Sequence, residues 1–483
     1  MRKSLMTNAV LNAIRQSLSV IFPLITFPYV SRVLGKSEYG RYTFSASIVT
    51  YFSLLAAYGI SNYAVREGAR VRNEKKKIYD LASDLFSFNI WTMILSYMML
   101  ICLLIFNSKL SDYAALIVIQ SLSILFTTIG LDWVNTVYED YLYITVRYMI
   151  IQIIALLLIF AFVRDSKDTA KYCFILVLGS YGGNLLNLIY IRKYIRPRFR
   201  FNIKMSQYIA PLSILFVNSL ATVIYVNSDI TMLGFFKTDD AVGIYSFSSK
   251  IYNIVKQLIN ALVIVTIPRL AYINGRSIEK YRQYLDKIFQ LVVMFVFPAA
   301  VGLCMISKWV VYLVGGTEYM EGVNSLRILT CSLIFALIAS VFTNCILIVN
   351  RLEKRCLIST ITAAAVNVGL NLFLIPVFGA EGAAFTTVIA ELLNLSLQII
   401  FAKKELGLLL KINRKNIVTV FAECVCIVFI CRIIRFTVAG DGICSALTAA
   451  GLSIVISCIV YLAILFITKS EWLSFISMKR FRK

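Results

Sequence analysis

The sequence predicts an all-α polytopic membrane protein: about 14 transmembrane helices, arranged as two six-helix lobes in a parallel repeat and followed by two C-terminal helices. Three observations predict this. The mean hydropathy is +0.80, with 59% hydrophobic and 15% charged residues, which is far outside the range of soluble globular chains. Apolar windows long enough to span a bilayer recur along the whole chain. A short motif near residue 40 returns near residue 243.

A hydrocarbon core of roughly 30 Å needs about 20 apolar residues per helix. Windows of that length lie near 10–34, 40–62, 84–106, 113–135, 143–163, 170–191, 208–234, 242–267, 285–307, 323–349, 356–376, 381–402, 416–436 and 443–467. The first follows Met1, Arg2 and Lys3 but lacks a small-residue cleavage pattern, so it is expected to be a retained helix rather than a signal peptide. Pro23 and Pro28 lie within it and predict a kink, because proline leaves a carbonyl unpaired. "LGKSEYGRYTFSAS" at 34–47 then reads as an outer turn, with Gly35 and Gly40 allowing the reversal.

Charge orients the chain. With the N-terminus inside, the inner loops and tails hold roughly three times as many Lys and Arg residues as the outer loops, as the positive-inside rule expects. The bias rests on "REGARVRNEKKK" at 66–77, "RKYIRPRFR" at 192–200 and "KRFRK" at the C-terminal end; the inner loop after the fourth window carries only Arg147. Both termini are therefore expected to be cytoplasmic. The net charge of +23 reflects topology, not nucleic-acid binding.

Several function classes drop out. No polar stretch is long enough for a separate soluble head, and the outer loops near 108–112, 164–169, 235–241 and 308–322 are short, which argues against an integral-membrane glycan polymerase or glycosyltransferase. There is no histidine, which removes His-based acid/base and nucleophile chemistry and most transition-metal sites. The eleven cysteines lie in apolar runs, with only a CxC at Cys424 and Cys426, and read as small core residues. Neither an enzyme nor a metal centre is expected, and no cofactor motif is present; proton or sodium coupling stays open.

The repeat organises the rest. "GRYTFSASI" at 40–48 matches "GIYSFSSKI" at 243–251, and "LLNL" at 185–188 recurs at 392–395 before the basic pairs Arg192-Lys193 and Lys403-Lys404. The offsets nearly agree at both ends of a six-helix unit, and an even helix count makes the copies parallel. The expected domains are 1–200 and 201–410 as lobes, then 411–483 with the last two helices and a basic cytoplasmic tail. Two such bundles with a cavity between them are a transporter architecture, since one can rock against the other.

At this point "FPYVSRVLGKSEYGRY" (27–42), "YGISNYAVREGA" (58–69), "NSDITMLGFF" (227–236), "VGIYSFSSKI" (242–251) and "NLFLIPVFGAEGAAFTTVIAE" (371–391) resemble the Wzx-type polysaccharide-biosynthesis flippases of the MATE-like superfamily of multidrug, oligosaccharidyl-lipid and polysaccharide exporters. The resemblance spans essentially the whole chain. It implies twelve helices in two lobes plus two more, in a bacterial plasma membrane. It also implies an activity: moving an undecaprenyl-pyrophosphate-linked oligosaccharide from the inner to the outer leaflet for capsule, O-antigen or exopolysaccharide assembly. Implied partners are that lipid-linked glycan, membrane lipids, and a polymerase and glycosyltransferases of the same pathway; a monomer is expected.

Such a substrate presents a pyrophosphate, a polar glycan and an isoprenoid tail. Only the first two need hiding from lipid. A pyrophosphate in low dielectric wants cationic partners, and a charge at the bilayer centre costs about 3 kcal/mol or more unless it faces water or a partner. Arg15, Lys250, Lys256 and Arg327 fall within windows and are the candidates for a cationic cleft, with snorkelling to the headgroups as the plain alternative for Arg15 and Arg327. Lys250 and Lys256 stand about 120° apart around a helix, so they need not share a face. Lys250 occupies the repeat position of Ser47.

Asp132, Asp229 and Glu391 are candidate counter-ions or coupling residues, Glu423 a weaker one, and a structural salt bridge is the plain reading for each. Asn12, Gln16, Asn218 and Asn227 could meet sugar hydroxyls or simply join helices. Pro23 and Pro28 could serve a gate or a static kink. The rival transporter reading is a cation-coupled drug exporter of the same superfamily, which would favour buried carboxylates over buried cations. A scaffold for partner synthases is the remaining non-transport reading.

Overall fold

The computed structural model describes residues 5–202, 205–407, 410, 413–438, 440 and 442–468, and among these every regular element is helical. Arg2, Lys3 and the basic cluster at 479–483 lie outside the described residues. The chain forms two compact units, Met1–Gly243 and Ile244–Lys483.

The first unit contains α1 (Leu5–Ala57), α2 (Ile60–Val71), α3 (Lys75–Phe106), the short α4 (Ser108–Ser111), α5 (Ala114–Gly130), α6 (Asp132–Val137) and α7 (Tyr141–Phe162). It continues with α8 (Thr169–Val177), α9 (Gly183–Tyr190), α10 (Met205–Phe236) and the start of α11 (Asp239–Asn274). The second unit holds the rest of α11, then α12 (Ile278–Gly315), α13 (Gly322–Val341), α14 (Glu353–Leu406), α15 (Arg414–Thr437) and α16 (Ile443–Ile467). Among the described residues eleven helical stretches are long and apolar enough to cross a bilayer. Two of them fold back on themselves, and α5 adds a shorter apolar crossing, so about fourteen crossings result. Large apolar side chains such as Phe106, Phe373 and Phe436 stand exposed along them, as lipid-facing residues must.

The two fold-backs have glycine at their corners. Gly35 adopts φ 71°, ψ 173° inside α1, and the rings of Phe27 and Tyr39 on either side lie 5.9 Å apart. Twelve residues of straight helix would separate them by about 18 Å, so the chain reverses at Gly35. Gly379, at φ 56°, ψ −128°, does the same for α14. There the buried Asn371 Oδ1 accepts from Thr386 Oγ1 at 2.5 Å and Asn371 Nδ2 donates to Asn367 at 3.1 Å, tying the two arms together.

Gly40 has a different task from the one its sequence neighbours suggest. It is helical, and a Cβ built on it would lie 1.9 Å from the carbonyl oxygen of Asp239; one on Gly243 would lie 1.9 Å from that of Lys36. The two repeat glycines therefore mark a backbone crossing between the second arm of α1 and the start of α11, with Lys36 and Asp240 ion-paired beside it at 3.3 Å.

Pro23 and Pro28 do not interrupt α1, whose only non-helical residue is Gly35. The fourth predicted window also differs: α5 stops at Gly130, Leu131 takes the left-handed φ of 48°, and Asp132 opens the separate α6. Asp132 is thus at a helix start, not in mid-span. Finally, the basic segment 192–200 is strapped down. The backbone N–H groups of Arg198 and Arg200 donate to Ser83 and Ser87 on α3, and the Arg200 guanidinium pairs with Asp80 at 2.7 Å and Asp84 at 3.2 Å.

Candidate functional site

Helix α11 carries Lys250 and Lys256. Lys256 Nζ lies 2.8 Å from Glu391 Oε1 on the second arm of α14 and 5.4 Å from the Tyr252 ring centroid. Glu391 is buried, and a carboxylate there needs this partner, since removing one member of a buried ion pair strands the other. The charge of Lys256 is therefore answered within its own unit. Lys250, half-buried one and a half turns earlier, makes no hydrogen bond or ion pair with any described residue.

The corresponding position in the first copy is Ser47. It is buried, donates to the Phe44 carbonyl at 2.7 Å and accepts from Thr231 on α10 at 3.0 Å; Tyr51 reaches the same Thr231 hydroxyl at 3.1 Å. Asp229, two residues before Thr231 on α10, is buried and engaged with its surroundings. Asn227 donates back to the Val223 carbonyl at 3.1 Å and so serves its own helix.

In the first unit Arg15 stands half-buried on α1 with its guanidinium 5.9 Å from the Tyr148 ring of α7, and it forms no ion pair with a described residue. Asp132 accepts from Arg147 Nη2 at 2.7 Å and Asn187 Nδ2 at 3.0 Å; Asn187, fully buried, also donates to Gly130 O and accepts from Asn135. Arg147 is not a loop residue, as its place after the fourth window suggests, but lies 9% exposed within α7. Its membership of the 143–163 window is the signal that could have found it.

Arg327 is an exposed residue of α13 and donates to Ser307 on α12 at 3.1 Å. Glu423 on α15 is buried, and neither carboxylate oxygen accepts a hydrogen bond from a described residue. Beside it α12, α15 and α16 enclose an apolar groove of about 350 Å³ that includes Pro298, Ile427, Ile454 and Tyr461. Between Pro23 and Pro28, Thr26 donates back to Phe22 O at 3.1 Å.

A chain of about fourteen apolar crossings, with Lys256 and Arg147 paired to carboxylates and Lys250 without a partner among the described residues, is a multi-pass membrane protein of the transporter class. It belongs to the family described as polysaccharide biosynthesis protein, which matches residues 5–274. Over 407 residues it is 20% identical to a candidate O-antigen transporter of Escherichia coli (strain K12), covering 83% of this chain and 97% of that protein. Its fold is similar to that of a lipid II flippase MurJ in an inward closed conformation, with a TM-score of 0.76 at 18% identity, covering 96% of this chain and all of the other. An inward-facing multidrug resistance MATE family transporter of the MOP superfamily aligns over 80% of this chain and 98% of its own, at 14% identity and a TM-score of 0.52. These relatives are transporters and flippases by name, not enzymes, and the family resemblance read from the sequence is borne out.

Proposed function

We propose that the protein is a flippase that moves an undecaprenyl-pyrophosphate-linked oligosaccharide repeat unit from the inner to the outer leaflet of a bacterial plasma membrane, by alternating access and with both termini cytoplasmic. Membership of the polysaccharide biosynthesis family and a fold like that of a lipid II flippase support the substrate class. The observation that carries the reading is Lys250. A half-buried ammonium in an apolar span costs free energy that a structural role would offset with a carboxylate, as Glu391 does for Lys256. Lys250 lacks such an offset, so an anionic substrate group is the partner it is arranged to meet. Arg15, a cation of the first unit without an ion pair among the described residues, is the next candidate.

In this reading the pyrophosphate exchanges water for charge-assisted hydrogen bonds to Lys250, while the isoprenoid stays in lipid. Glu391 keeps Lys256 charged but neutralised, so it contributes position and field more than direct binding. The test is export of surface glycan in a flippase-null strain complemented at equal membrane levels. One charge-assisted contact is worth about 1.5–3 kcal/mol, so Lys250→Ala is expected to lower transport by roughly tenfold or more. Arg15→Ala should have a smaller effect. Full export with both variants would show that these cations do not hold the substrate.

A further inference from the structure

A second polar site lies in the first unit. A cavity of about 730 Å³ opens where three connections meet: Arg72 and Asn73 after α2, residues 138–143 entering α7, and residues 190–194 leaving α9. Its size falls within the usual range for small-molecule pockets, about 300–1,000 Å³. These connections follow the second, fourth and sixth crossings, so they share one side of the membrane, and that side is the basic one.

The walls are tyrosine. Tyr143 stacks on Tyr190 with planes 3° apart and centroids 3.4 Å apart, and Tyr138 stacks on Tyr194 at 6° and 4.4 Å. Lys193 Nζ sits 3.6 Å from the Tyr190 centroid and 4.5 Å from that of Tyr194, bridging the two pairs. Asp140 accepts from the Tyr190 hydroxyl at 2.7 Å, the Tyr194 hydroxyl at 2.9 Å and Lys193 at 3.0 Å. Burial pushes the Asp140 carboxyl up, but these three donors outweigh it and hold it below the usual carboxylate range, so it stays ionised. Arg72 pairs with Glu139 at 2.7 Å.

The cavity's charges thus cancel, with two cations against two carboxylates. A phosphate entering it would meet both carboxylates as well as both cations. A sugar ring suits this balance better: with Tyr190 and Tyr194 each covered by a stacked tyrosine and by Lys193, its C–H face lies against the outer face of Tyr138 or Tyr143, and its hydroxyls donate to Glu139 and accept from Arg72 or Asn73. The frame is already locked by Asp140, so binding needs little further ordering.

We propose that this cavity binds an uncharged sugar of the glycan head before transport. This rests on the flippase reading for the identity of the cargo, but the sugar site itself can be tested separately. The full chain in lipid nanodiscs is presented with free hexoses, N-acetylhexosamines and deoxyhexoses, and with inorganic pyrophosphate, and saturation-transfer NMR reads binding. Transfer to at least one sugar is expected, undiminished by pyrophosphate, and at least tenfold weaker in Tyr143→Ala and Glu139→Gln. Asp140 is left intact because it holds the frame, and equal melting temperatures verify that both variants fold.

Absence of transfer to every sugar, displacement by pyrophosphate, or unchanged binding in both folded variants would overturn the proposal. Glycan export by a chain that binds no sugar would remove this site and leave the flippase reading intact. Sugar binding that tracks Tyr143 in a chain unable to support export would sink the flippase reading and leave a sugar site without that cargo.

Discussion

Residues 40–48 and 243–251 are two copies of one stretch, and they differ in what their shared positions touch. In both, the aromatic residue packs onto a glycine of a neighbouring helix beside a tyrosine. A Cβ on Gly234 would lie 2.0 Å from the Phe44 ring, and Phe44 meets Tyr113 at 4.9 Å between centroids. A Cβ on Gly315 would lie 2.7 Å from Phe247, which stacks on Tyr319 at 4.2 Å. Both copies also bury the next serine, Ser45 or Ser248. Three residues on from each phenylalanine the copies part: Ser47 is locked into a hydroxyl network, whereas Lys250 has no partner among the described residues. Shared positions build the frame, and the unshared position is the one proposed to meet the substrate.

That division can be broken at the frame first. Gly40→Val and Gly243→Val should each cost about 3 kcal/mol or more, because the added carbon overlaps a backbone carbonyl that cannot turn aside. The expected readout is loss of folded protein in detergent by thermal unfolding and size exclusion; a valine variant that melts like the wild type would remove the crossing from the account.

The paired lysine sharpens the contrast next. Lys256→Met leaves Glu391 buried without its ion and should cost about 3–5 kcal/mol, while Lys256→Met with Glu391→Leu should recover most of that loss. Thermal melts of the single and double variants measure the coupling, and additive losses would mean the pair is not a unit. Ser47→Ala should lower stability by about 1 kcal/mol, the worth of an ordinary hydrogen bond, and leave export near normal. A large export defect there would erase the difference between the copies.

The smallest effect concerns pH. Asp140 is held below its unfolded value near 3.9, so its contribution is fully present above about pH 4 and is lost as the pH falls through the lower folded value. Melting temperature should therefore drop between pH 5 and pH 3 by more in the wild type than in Asp140→Asn. Equal drops would mean that the three donors do not favour the carboxylate.

Much of this was legible in the sequence because bilayer physics is one-dimensional. Apolar length sets the crossings, and the eleven long stretches, two of them doubled, follow from it. The repeat was legible because Gly40 and Gly243 have no room for a side chain at their crossing and a phenylalanine stands four residues after each. Gly40 was misjudged as a turn residue because glycine marks tight turns and close backbone approaches alike, and only three dimensions separate them. Arg147 was missed because a cation near a span end reads as a loop charge until its partner, Asp132, is brought beside it by the left-handed Leu131. The tyrosine cavity had no linear signal at all, since its walls come from three connections spread over more than a hundred residues. Lys250 stands out on comparing the copies, and what the fold adds is that Lys256 has an anion whereas Lys250 has none among the described residues.

The most direct test makes the second copy resemble the first. Lys250→Ser, produced at wild-type membrane levels in a flippase-null strain, should lose export by roughly tenfold or more, the size of one missing charge-assisted contact, with Lys250→Arg retaining most of it. Undiminished surface glycan in Lys250→Ser would contradict the claim that the repeat's one unpartnered cation meets the substrate.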